Sequence, residues 1–589
     1  MDAGKQIIDG IFATNRLLEI PFYQRSYVWE KDQWERFKED MGYVSLTRKP
    51  YFLGSVILKQ APTPSYATPA RVTDTRIVID GQQRMTTIML FFKALYLRKG
   101  CNEDFTSDFC LKDGSSKLAH GKSDIDAFKK VISIEELNKG ERVEELDYQS
   151  NIIDAFNFFF ESIDPDKLDD LAIKQYVTLI GIDIAQEEDE QQIFDTINSL
   201  GVTLTTAELL KNYLFNRDNE EEYEFYWETI FEKDPEVREW WNSEIVTGRL
   251  KRTVIDMFFD SFLQILVQNP IYGVTAEDKI AYSRMDQLFH SYQDFLSRYY
   301  SKVHDLSAGN NPFLKEMSDY AALFKQTFDP EATKRSVAAD DYLRRINVVI
   351  FGLKNSTLIP YILYIEKNVK DKEERSKMIY ILESYIMRRM ITRDSTKNYN
   401  RLFSSMILNG VDSSQLLIDV LKSGDDTTTR FPSDAELIKA FVNEFKLTNL
   451  QAKGVIYLIE ASIRPKNSGT DLLTFDSYSL EHIMPKKWRN NWDVPETEEE
   501  QRKRDRKLLS LGNLAIITQS LNASIRDANW DKKKRGKNEK NPGLSACSSG
   551  LATFEGILNK DVWNENEIEK RGEWLAIEAV KVWPYPEEL

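Results

Sequence analysis

A short segment near the carboxyl end of the chain combines side chains that could hydrolyse a phosphodiester. His482, one of only four histidines in 589 residues, directly follows Glu481, and Asn513 and Asn522 lie downstream. A neutral imidazole can take a proton from water, and carboxylate and amide oxygens are ligands that Mg²⁺ accepts. We therefore predict that His482 is the general base and that Glu481 and Asn522 bind Mg²⁺ or Mn²⁺. Asn513 is predicted to orient His482 by a carbonyl hydrogen bond.

Basic residues concentrate around this histidine although the chain is acidic, with a net charge of −16. Residues 501–540 carry 12 Lys and Arg against 4 Asp and Glu, and residues 1–100 carry 15 against 10. Two basic islands in an acidic chain are the pattern expected when only the ends touch phosphates. The alternatives are a solvated charged face and a histidine with a structural role. The predicted contacts with nucleic-acid phosphates are Lys486, Lys487, Lys532, Lys533, Lys534 and Arg535.

A second candidate site lies near the amino end of the chain. The segment Asp80-Gly-Gln-Gln-Arg84 stands between an apolar strand pattern and the start of a helix. Free amides at a helix N-terminus can hold a phosphate, and an arginine can clamp it with two hydrogen bonds. The alternative is a capped turn in which Asp80 and Arg84 form a local ion pair. The predicted ligand contacts are Asp80, Gly81, Gln82, Gln83, Arg84, Thr86 and Thr87, with Gln24 and Arg25 closing over the other side.

Hydrophobic periodicity indicates the elements that position this amino-terminal turn. The first 215 residues have mixed α/β character, and Thr205 and Glu208 have the spacing of a capping box. The predicted elements are a helix at 34–44, strands at 51–58 and 76–80, a helix at 85–97, a polar insertion at 100–150, a helix at 191–198 and a helix at 209–215.

The histidine segment requires a different set of elements. From about 216 to 455 the pattern is that of long amphipathic helices. Beyond it, strands are predicted at 478–483 and 514–518, with a basic helix near 497–508 between them. We therefore predict three domains, at residues 1–215, 216–455 and 456–589.

Composition indicates a soluble protein of a reducing compartment. Hydrophobic residues make up 42% of the chain and charged residues 29%, which is ordinary for a globular protein. The first residues lack the basic and apolar regions of a secretory signal, and the most apolar window, 348–364, contains a lysine, an asparagine and a proline. The three cysteines form no disulfide framework. We expect a cytoplasmic protein that does not enter a membrane.

Several amino-terminal motifs resemble the GmrSD family of modification-dependent (type IV) restriction endonucleases. The segments that carry this resemblance are 20–29, 80–84, 194–201 and 209–212. The resemblance implies a ParB/sulfiredoxin-like α/β domain that binds and hydrolyses an NTP (GTP, ATP or CTP) through Asp80-Gly-Gln-Gln-Arg84. Leu200 departs from the family pattern, which more often has arginine in that turn.

The carboxyl-terminal motifs are similar to the same family's His-Me finger (HNH) nuclease domain. The segments are 481–485, 512–514, Asn522 and the closing helix at 571–584. The resemblance implies a ββα-metal fold with His482 as general base, Glu481 and Asn522 as metal ligands, and Asn513 as the intermediate asparagine of related nucleases. The predicted fold class is therefore multidomain, helix-rich α+β, with an α/β domain, a helical middle and a nuclease domain.

The predicted function is an NTP-regulated, metal-dependent DNA endonuclease of antiphage defence. Its predicted partners are an NTP and double-stranded DNA, with modified phage DNA as the substrate; self-association is left open. One alternative is an NTP-switched DNA-binding adaptor with an inactive nuclease fold. Another is an RNase or toxin that acts on host nucleic acid. Metal-dependent nicking of DNA would exclude the adaptor, and cleavage of RNA would favour the toxin.

Overall fold

Six strands from the amino-terminal part of the chain form one mixed sheet, in the order β1-β6-β3-β4-β2-β5. Strands β2, β4 and β5 run parallel to one another. Their carboxyl ends therefore lie at the same edge, where the loops that follow them can meet. The strands are β1 (Asp2–Ile7), β2 (Arg16–Glu19), β3 (Tyr51–Gln60), β4 (Asp74–Asp80), β5 (Leu118–Ala119) and β6 (Val177–Ile184).

This sheet belongs to the first of two compact units, Met1–Tyr223 and Glu224–Leu589, in the computed structural model. Each unit is described by itself. The residues that the structure describes are 2–24, 26–61, 72, 74–121, 124–185, 205–215, 219–247, 250–306, 311–424, 428–443, 447–465, 471–538, 540–548 and 550–586.

Helices cover both faces of the sheet. The main core lies on one face, where α3 is buried on all sides from Met85 to Leu97, the pattern of an interior helix. A smaller apolar cluster on the other face includes Ile79 and Ile182, packed with Leu209 of α8. The helices are α1 (Ile8–Ile11), α2 (Lys31–Thr47), α3 (Gln82–Lys99), α4 (Asn102–Phe109), α5 (Ile125–Ile132), α6 (Asn151–Ser162), α7 (Asp170–Tyr176), α8 (Thr206–Leu214) and α9 (Glu220–Tyr223).

Most elements predicted for this unit are confirmed, but the prediction of a polar insertion at residues 100–150 is wrong. The capping box forms, because the Thr205 hydroxyl accepts from the Glu208 amide and Glu208 returns the contact. Residues 100–150 contain α4, β5 and α5, whose Phe105 and Phe128 belong to the main core. The polar residues between these apolar positions hid them. The helix predicted at 191–198, with Leu200, lies outside the described residues.

The second unit is helical up to residue 463 apart from one hairpin, β7 (Glu244–Thr247) and β8 (Leu250–Thr253), among the residues that the structure describes. Its first segment, Glu224–Glu232, is a π-helix. The helices are α10 (Pro235–Asn242), α11 (Val254–Gln268), α12 (Ala276–Ala281), α13 (Leu288–Arg298), α14 (Pro312–Thr327), α15 (Tyr342–Asn347), α16 (Ile359–Asn368), α17 (Lys372–Ile391), α18 (Tyr399–Leu408), α19 (Ser414–Lys422), α20 (Asp434–Val442) and α21 (Asn449–Ile463).

Two antiparallel strands then carry the histidine segment. Strand β9 pairs with β10, so that His482 lies opposite Leu514. Helix α21 packs against both strands, and α26 packs against the turn before β10. The remaining elements are β9 (Tyr478–His482), α22 (Glu498–Lys507), β10 (Leu514–Thr518), α23 (Gln519–Ile525), α24 (Trp530–Arg535), β11 (Gly536–Asn538), β12 (Asn541–Pro542), α25 (Leu544–Cys547) and α26 (Glu565–Val582).

Buried polar contacts join the helical region to the end of the chain. The indole N–H of Trp583 donates to Glu383 of α17 at 2.8 Å. Glu383 is also paired with Arg345, and Arg388 donates to the Trp583 carbonyl at 2.6 Å. These contacts hold the end of the chain against α17.

The structure confirms a helix-rich multidomain fold with a mixed sheet. The ParB/sulfiredoxin-like fold, the HNH fold and the three domain boundaries stay predictions. Within the described ranges, no helix is both long enough and apolar enough to span a membrane.

Candidate functional site

The hydrogen-bonding pattern of β9 leaves two of its carbonyls at the free edge of the strand pair. The Ile483 amide donates to the Asn513 carbonyl at 2.9 Å, just beyond the His482–Leu514 pair. Because the peptide groups of antiparallel strands alternate in direction, Ile483 faces β10 while Leu480 and His482 turn their carbonyls outward. This edge is where the helices after β10 meet the histidine segment.

Side chains from α23 and α24 bind these two carbonyls. The Nδ2 of Asn522 donates to the Leu480 carbonyl at 3.3 Å and to the Ser479 hydroxyl at 2.9 Å. The Nζ of Lys533 donates to the His482 carbonyl at 2.9 Å. The structure therefore brings both Asn522 and Lys533 to the segment that carries Glu481 and His482.

Glu481 and Lys533 form a buried ion pair. The carboxylate contacts the ammonium directly, and both residues are buried, Lys533 with 0% of its surface exposed. Burial raises the pKa of Glu481 and lowers the pKa of Lys533, while the contact between them opposes both shifts. Removing either partner would leave an uncompensated charge inside the protein. The pair therefore fixes the position of the Glu481 carboxylate.

Two of the predicted phosphate contacts are consequently wrong. Lys533 is bound to Glu481, and the Nζ of Lys534 donates to the Lys560 carbonyl at 2.7 Å. The helical repeat of α24 turns Trp530, Lys533 and Lys534 inward together, so the Lys-Lys-Lys-Arg run is not one exposed face. The inward spacing from Trp530 is a signal that could have identified Lys533 as a buried residue.

The other predicted phosphate contacts are exposed. Lys486, Lys487, Lys532 and Arg535 all reach solvent. Arg535 is also paired with Asp531 at 3.0 Å. Exposed cations can approach a polyanion without losing a buried partner, so these four residues stay predicted phosphate contacts.

The His482 imidazole is half-buried and has no hydrogen-bond partner in the described part of the chain. Burial, together with the nearby cations Lys486 and Lys533, lowers the pKa of His482 to about 4. The ring is therefore neutral near pH 7, which is the form that accepts a proton.

Asn513 does not make the predicted hydrogen bond to His482. Its Oδ1 accepts from the Met484 amide at 2.8 Å and from the Trp563 indole at 3.1 Å. Its Nδ2 donates to the Met484 carbonyl at 2.8 Å and to the Leu508 carbonyl at 3.1 Å. The fully buried amide thus uses both of its ends on structural partners. Asn513 is a positioning residue that fixes the backbone after His482.

The closing helix α26 secures the turn before β10. The Arg571 guanidinium donates to the carbonyls of Gly512 and Leu514 at 2.9 and 2.7 Å. A side chain on Gly512 would meet the Ile568 carbonyl, because a Cβ there would lie 2.1 Å from it. Glycine and arginine together let the helix approach the strand that pairs with β9.

The Glu481 carboxylate and the Asn522 amide oxygen are donor types that Mg²⁺ accepts. The Oδ1 of Asn522 accepts no hydrogen bond from the described residues, while its Nδ2 is held by β9. In the parts of the chain that are described, no group of three His, Cys, Asp or Glu side chains could hold a metal. Mg²⁺ commonly takes one or two protein oxygens and completes its shell with water and phosphate. Lys533 would compete with such an ion for Glu481.

The second candidate site, around Asp80–Arg84, lies at the carboxyl ends of β2, β4 and β5. Gln83, at the start of α3, accepts from the Val28 amide at 2.9 Å and donates to the Ser26 carbonyl at 3.1 Å. These two bonds hold the loop after β2 against the helix. The predicted contact residue Gln83 therefore has a structural role here.

The hydroxyls of Thr86 and Thr87 also make hydrogen bonds to groups of the protein itself. The Thr87 hydroxyl lies 2.7 Å from the Tyr27 hydroxyl, and the Thr86 hydroxyl lies 3.1 Å from the Nε2 of His120. Each hydroxyl also donates to a carbonyl one turn earlier in α3. Both threonines are buried, so the ligand contact predicted for them is corrected to an internal one.

Asp80 and Arg84 remain accessible at the start of α3. The Arg84 Nη1 donates to the Ser55 carbonyl at 2.9 Å and lies 3.8 Å from the Asp80 carboxylate. Gly54 has a φ of +119°, and its missing side chain makes room for the Arg84 guanidinium. A positive-φ glycine inside a strand pattern is a signal that sequence reasoning missed.

The other predicted ligand contacts surround this turn. Gly81 adopts a φ of +100°, and a Cβ there would lie 3.0 Å from Val56. Gln82 is buried. The Nε2 of Gln24 is buried without a hydrogen-bond partner among the described residues, which suits a group that waits for a ligand. Arg25 lies outside the described residues.

Two protein-family models match the chain, and together they include both candidate sites. Residues 5–215 match the amino-terminal domain of the GmrSD restriction endonuclease, and residues 431–577 match the carboxyl-terminal domain of GmrSD restriction endonucleases. The chain belongs to the GmrSD family. The GmrSD matches include the Asp80–Arg84 turn and the edge of β9, and they support a DNA endonuclease of phage defence. No curated protein sequence matches the chain.

Proposed function

We propose that this GmrSD chain is an NTP-regulated, metal-dependent endonuclease that cuts modified phage DNA in the cytoplasm. The observation that carries the proposal is the hydrogen bonding of Asn522 to Ser479 and to the Leu480 carbonyl, on the strand that also carries Glu481 and His482. A neutral imidazole, a carboxylate and an amide oxygen suit metal-assisted hydrolysis of a phosphodiester. The order strand β9, strand β10, helix α23 is compatible with the ββα arrangement of an HNH nuclease.

In the proposed mechanism His482 takes a proton from the attacking water. Its low pKa keeps the imidazole neutral, and Asn513 holds the backbone that follows it. Glu481 and Asn522 would hold Mg²⁺ or Mn²⁺. When bound, the ion supplies positive charge for the phosphate and the leaving oxygen.

Lys533 has a specific part in this proposal. Its ammonium keeps the Glu481 carboxylate and the His482 carbonyl together at the edge of β9. If Glu481 held a metal ion, the bond from Lys533 to the His482 carbonyl would preserve the strand edge. Lys533 thus positions both neighbours without touching DNA.

The amino-terminal unit would bind the NTP at the first turn of α3. Amides at that helix start and the Arg84 guanidinium suit a phosphate group. Asp80 suits a ribose hydroxyl or the metal ion that accompanies an NTP. GTP, ATP and CTP remain equal candidates for this site.

One observation favours a second candidate, an NTP-switched adaptor with an inactive nuclease fold. The ion pair with Lys533 occupies the carboxylate that a metal would need. If that pair never opened, the chain would bind DNA without cutting it.

A digestion panel separates the two candidates. Purified full-length chain is incubated with modified phage DNA, unmodified phage DNA and RNA, with Mg²⁺, Mn²⁺ or EDTA, and with each NTP in turn. The endonuclease proposal expects nicking or cutting of modified DNA that needs the metal and responds to one NTP. DNA that is bound but never cut under any of these conditions would establish the adaptor. Cutting confined to RNA would reject both.

A further inference from the structure

A cavity of about 740 Å³ opens in the first unit beside the edge strand β5. Sites for small molecules commonly have volumes of about 300–1,000 Å³. Helices α3, α4 and α5 contribute to its walls. Its apolar lining includes Leu17, Phe105, Leu111, Ile125, Phe128 and Ile132.

A buried lysine without a carboxylate partner lines this cavity. Lys93 has 2% of its surface exposed. Its Nζ donates to the Asn102 amide oxygen at 2.8 Å and lies 4.8 Å from the centre of the Phe105 ring. No carboxylate of the described residues pairs with it, and the Cys110 thiol and Glu135 act on it only at longer range. Burial lowers the pKa of Lys93 to about 8.

An isolated buried cation is unfavourable unless another group compensates it. One neutral amide and one ring face compensate the ammonium only in part, and two of its three N–H groups have no acceptor among the described residues. An anion that entered the cavity would complete this environment. The physical chemistry of Lys93 therefore indicates the charge of a ligand.

The remaining polar groups of the cavity do not repel an anion from its buried end. His120 is neutral near pH 7, because burial lowers its pKa to about 3, and its ring lies 4.2 Å from the centre of Phe128. Asp113 is exposed, and the Ser115 amide and hydroxyl donate to it at 2.9 and 2.6 Å. Glu135 is exposed as well. The acidic groups that line the cavity are therefore solvated.

The segment 114–120 provides part of this wall. Lys117 and Leu118 are buried there, and β5 joins the sheet. Gly114, Ser115 and Ser116 line the cavity.

Lys93 lies away from the Asp80–Arg84 turn. Lys93 lies nine residues further along α3, which is about 14 Å along the helix axis. A phosphate held by the first turn of α3 would not be the anion that Lys93 meets.

We propose that this cavity is a second ligand site, which takes a small molecule with one anionic group, a carboxylate or a phosphate, on a flat apolar body. The anion binds Lys93, and the body packs against the apolar wall. This proposal does not depend on the nuclease or on the NTP.

The test compares three probes that share one ring system. Isothermal titration calorimetry of the full-length chain is carried out with 2-naphthoate, 2-naphthyl phosphate and the uncharged 2-naphthalenemethanol. At least one anion is expected to bind saturably and about 10-fold or more tighter than the alcohol, as a charged hydrogen bond would give. The tighter anion identifies the preferred group.

Variants then connect the binding to Lys93. Lys93→Met is expected to remove the advantage of the anion over the alcohol, while the circular dichroism of the variant stays that of the parent. Lys129→Met is the control, because Lys129 also lines the cavity but is exposed and screened by solvent. No saturable binding of any probe, or an anion advantage that survives in Lys93→Met, would overturn the proposal. Equal losses in both variants would overturn it too.

Discussion

Neighbouring lysines in α24 have different environments although they look alike in the sequence. Lys533 neutralises the buried Glu481, whereas Lys534 donates a hydrogen bond to a backbone carbonyl. Both contacts depend on partners at least 26 residues away. At the scale of single residues, charge therefore says little about function until the partner is known.

Replacing each of these lysines separates their roles. Lys533→Met should lower the free energy of unfolding by about 3–5 kcal/mol, because it leaves the Glu481 carboxylate buried without a partner. Lys534→Met should lower it by about 1 kcal/mol, the worth of one hydrogen bond. Urea unfolding of the two variants measures the difference.

Mg²⁺ provides a second readout for the same pair. If Lys533 competes with the metal for Glu481, Mg²⁺ should raise the melting temperature of Lys533→Met by more than that of the parent. The Lys534→Met variant should respond as the parent does. An equal response of all three proteins would show that Glu481 does not bind the metal.

His120 should make the stability of the chain depend on pH. Its folded pKa of about 3 lies below the ordinary value of about 6.5, so the unfolded state binds the proton first. The contribution of neutral His120 to the free energy of unfolding is complete above about pH 6.5. It falls by about 1.4 kcal/mol per pH unit as the pH drops toward 3. In urea unfolding at pH 7, 6 and 5, His120→Gln should lose less stability than the parent. Parallel losses would contradict this.

At the scale of elements, α3 connects the buried core with the accessible turn at its start. Gly81 makes that start possible, since its φ of +100° and its contact with Val56 exclude a side chain. The helix then continues to Lys99 with its interior residues buried. The turn is therefore held by the core of the first unit.

Two glycine variants separate backbone strain from crowding. Gly140 has a φ of +94°, and a Cβ added there would meet nothing within 4 Å, so Gly140→Ala should cost about 1 kcal/mol from the backbone alone. Gly81→Ala should cost about 1 kcal/mol more, because Val56 must also move. The melting temperatures of Gly81→Ala, Gly140→Ala and the parent, measured with and without each NTP, compare the two losses. A smaller loss in Gly81→Ala than in Gly140→Ala would argue against the crowding.

The sequence predicts these elements well where one local pattern decides them. The Thr205–Glu208 capping box and strands β4 and β10 form as expected. The contacts of Lys533 and Asn513 could not be predicted, because they join segments that only the tertiary fold brings together. The four-residue spacing of Phe105 and Phe109 is that of an apolar helix face, but the polar residues around them led to the prediction of a polar insertion at 100–150.

At the scale of the whole molecule, the GmrSD chain has a candidate ligand site in one unit and a candidate cutting site in the other. The first unit carries Arg84 and the cavity at Lys93, and the second carries His482. Regulation by an NTP requires the two units to be coupled, so a variant of the first should change the activity of the second.

Arg84→Ala tests this coupling. The loss of the guanidinium should abolish NTP hydrolysis, and the rate of DNA nicking should no longer change when NTP is added. Arg98→Ala, near the other end of α3, is the control and should keep the response. Phosphate release and plasmid nicking are measured on the same preparations. A normal NTP response in Arg84→Ala would remove this residue from the nucleotide site.

The proposed function depends most on His482 as the base of a DNA endonuclease. The most direct measurement is the plasmid-nicking rate of His482→Ala with Mg²⁺, beside the exposed-histidine control His290→Ala and with NTP hydrolysis followed in parallel. We predict a nicking rate at least about 100-fold below the parent, the usual effect of losing a general base, with NTP hydrolysis unchanged and His290→Ala fully active. Nicking by His482→Ala at the parent rate would contradict the assignment.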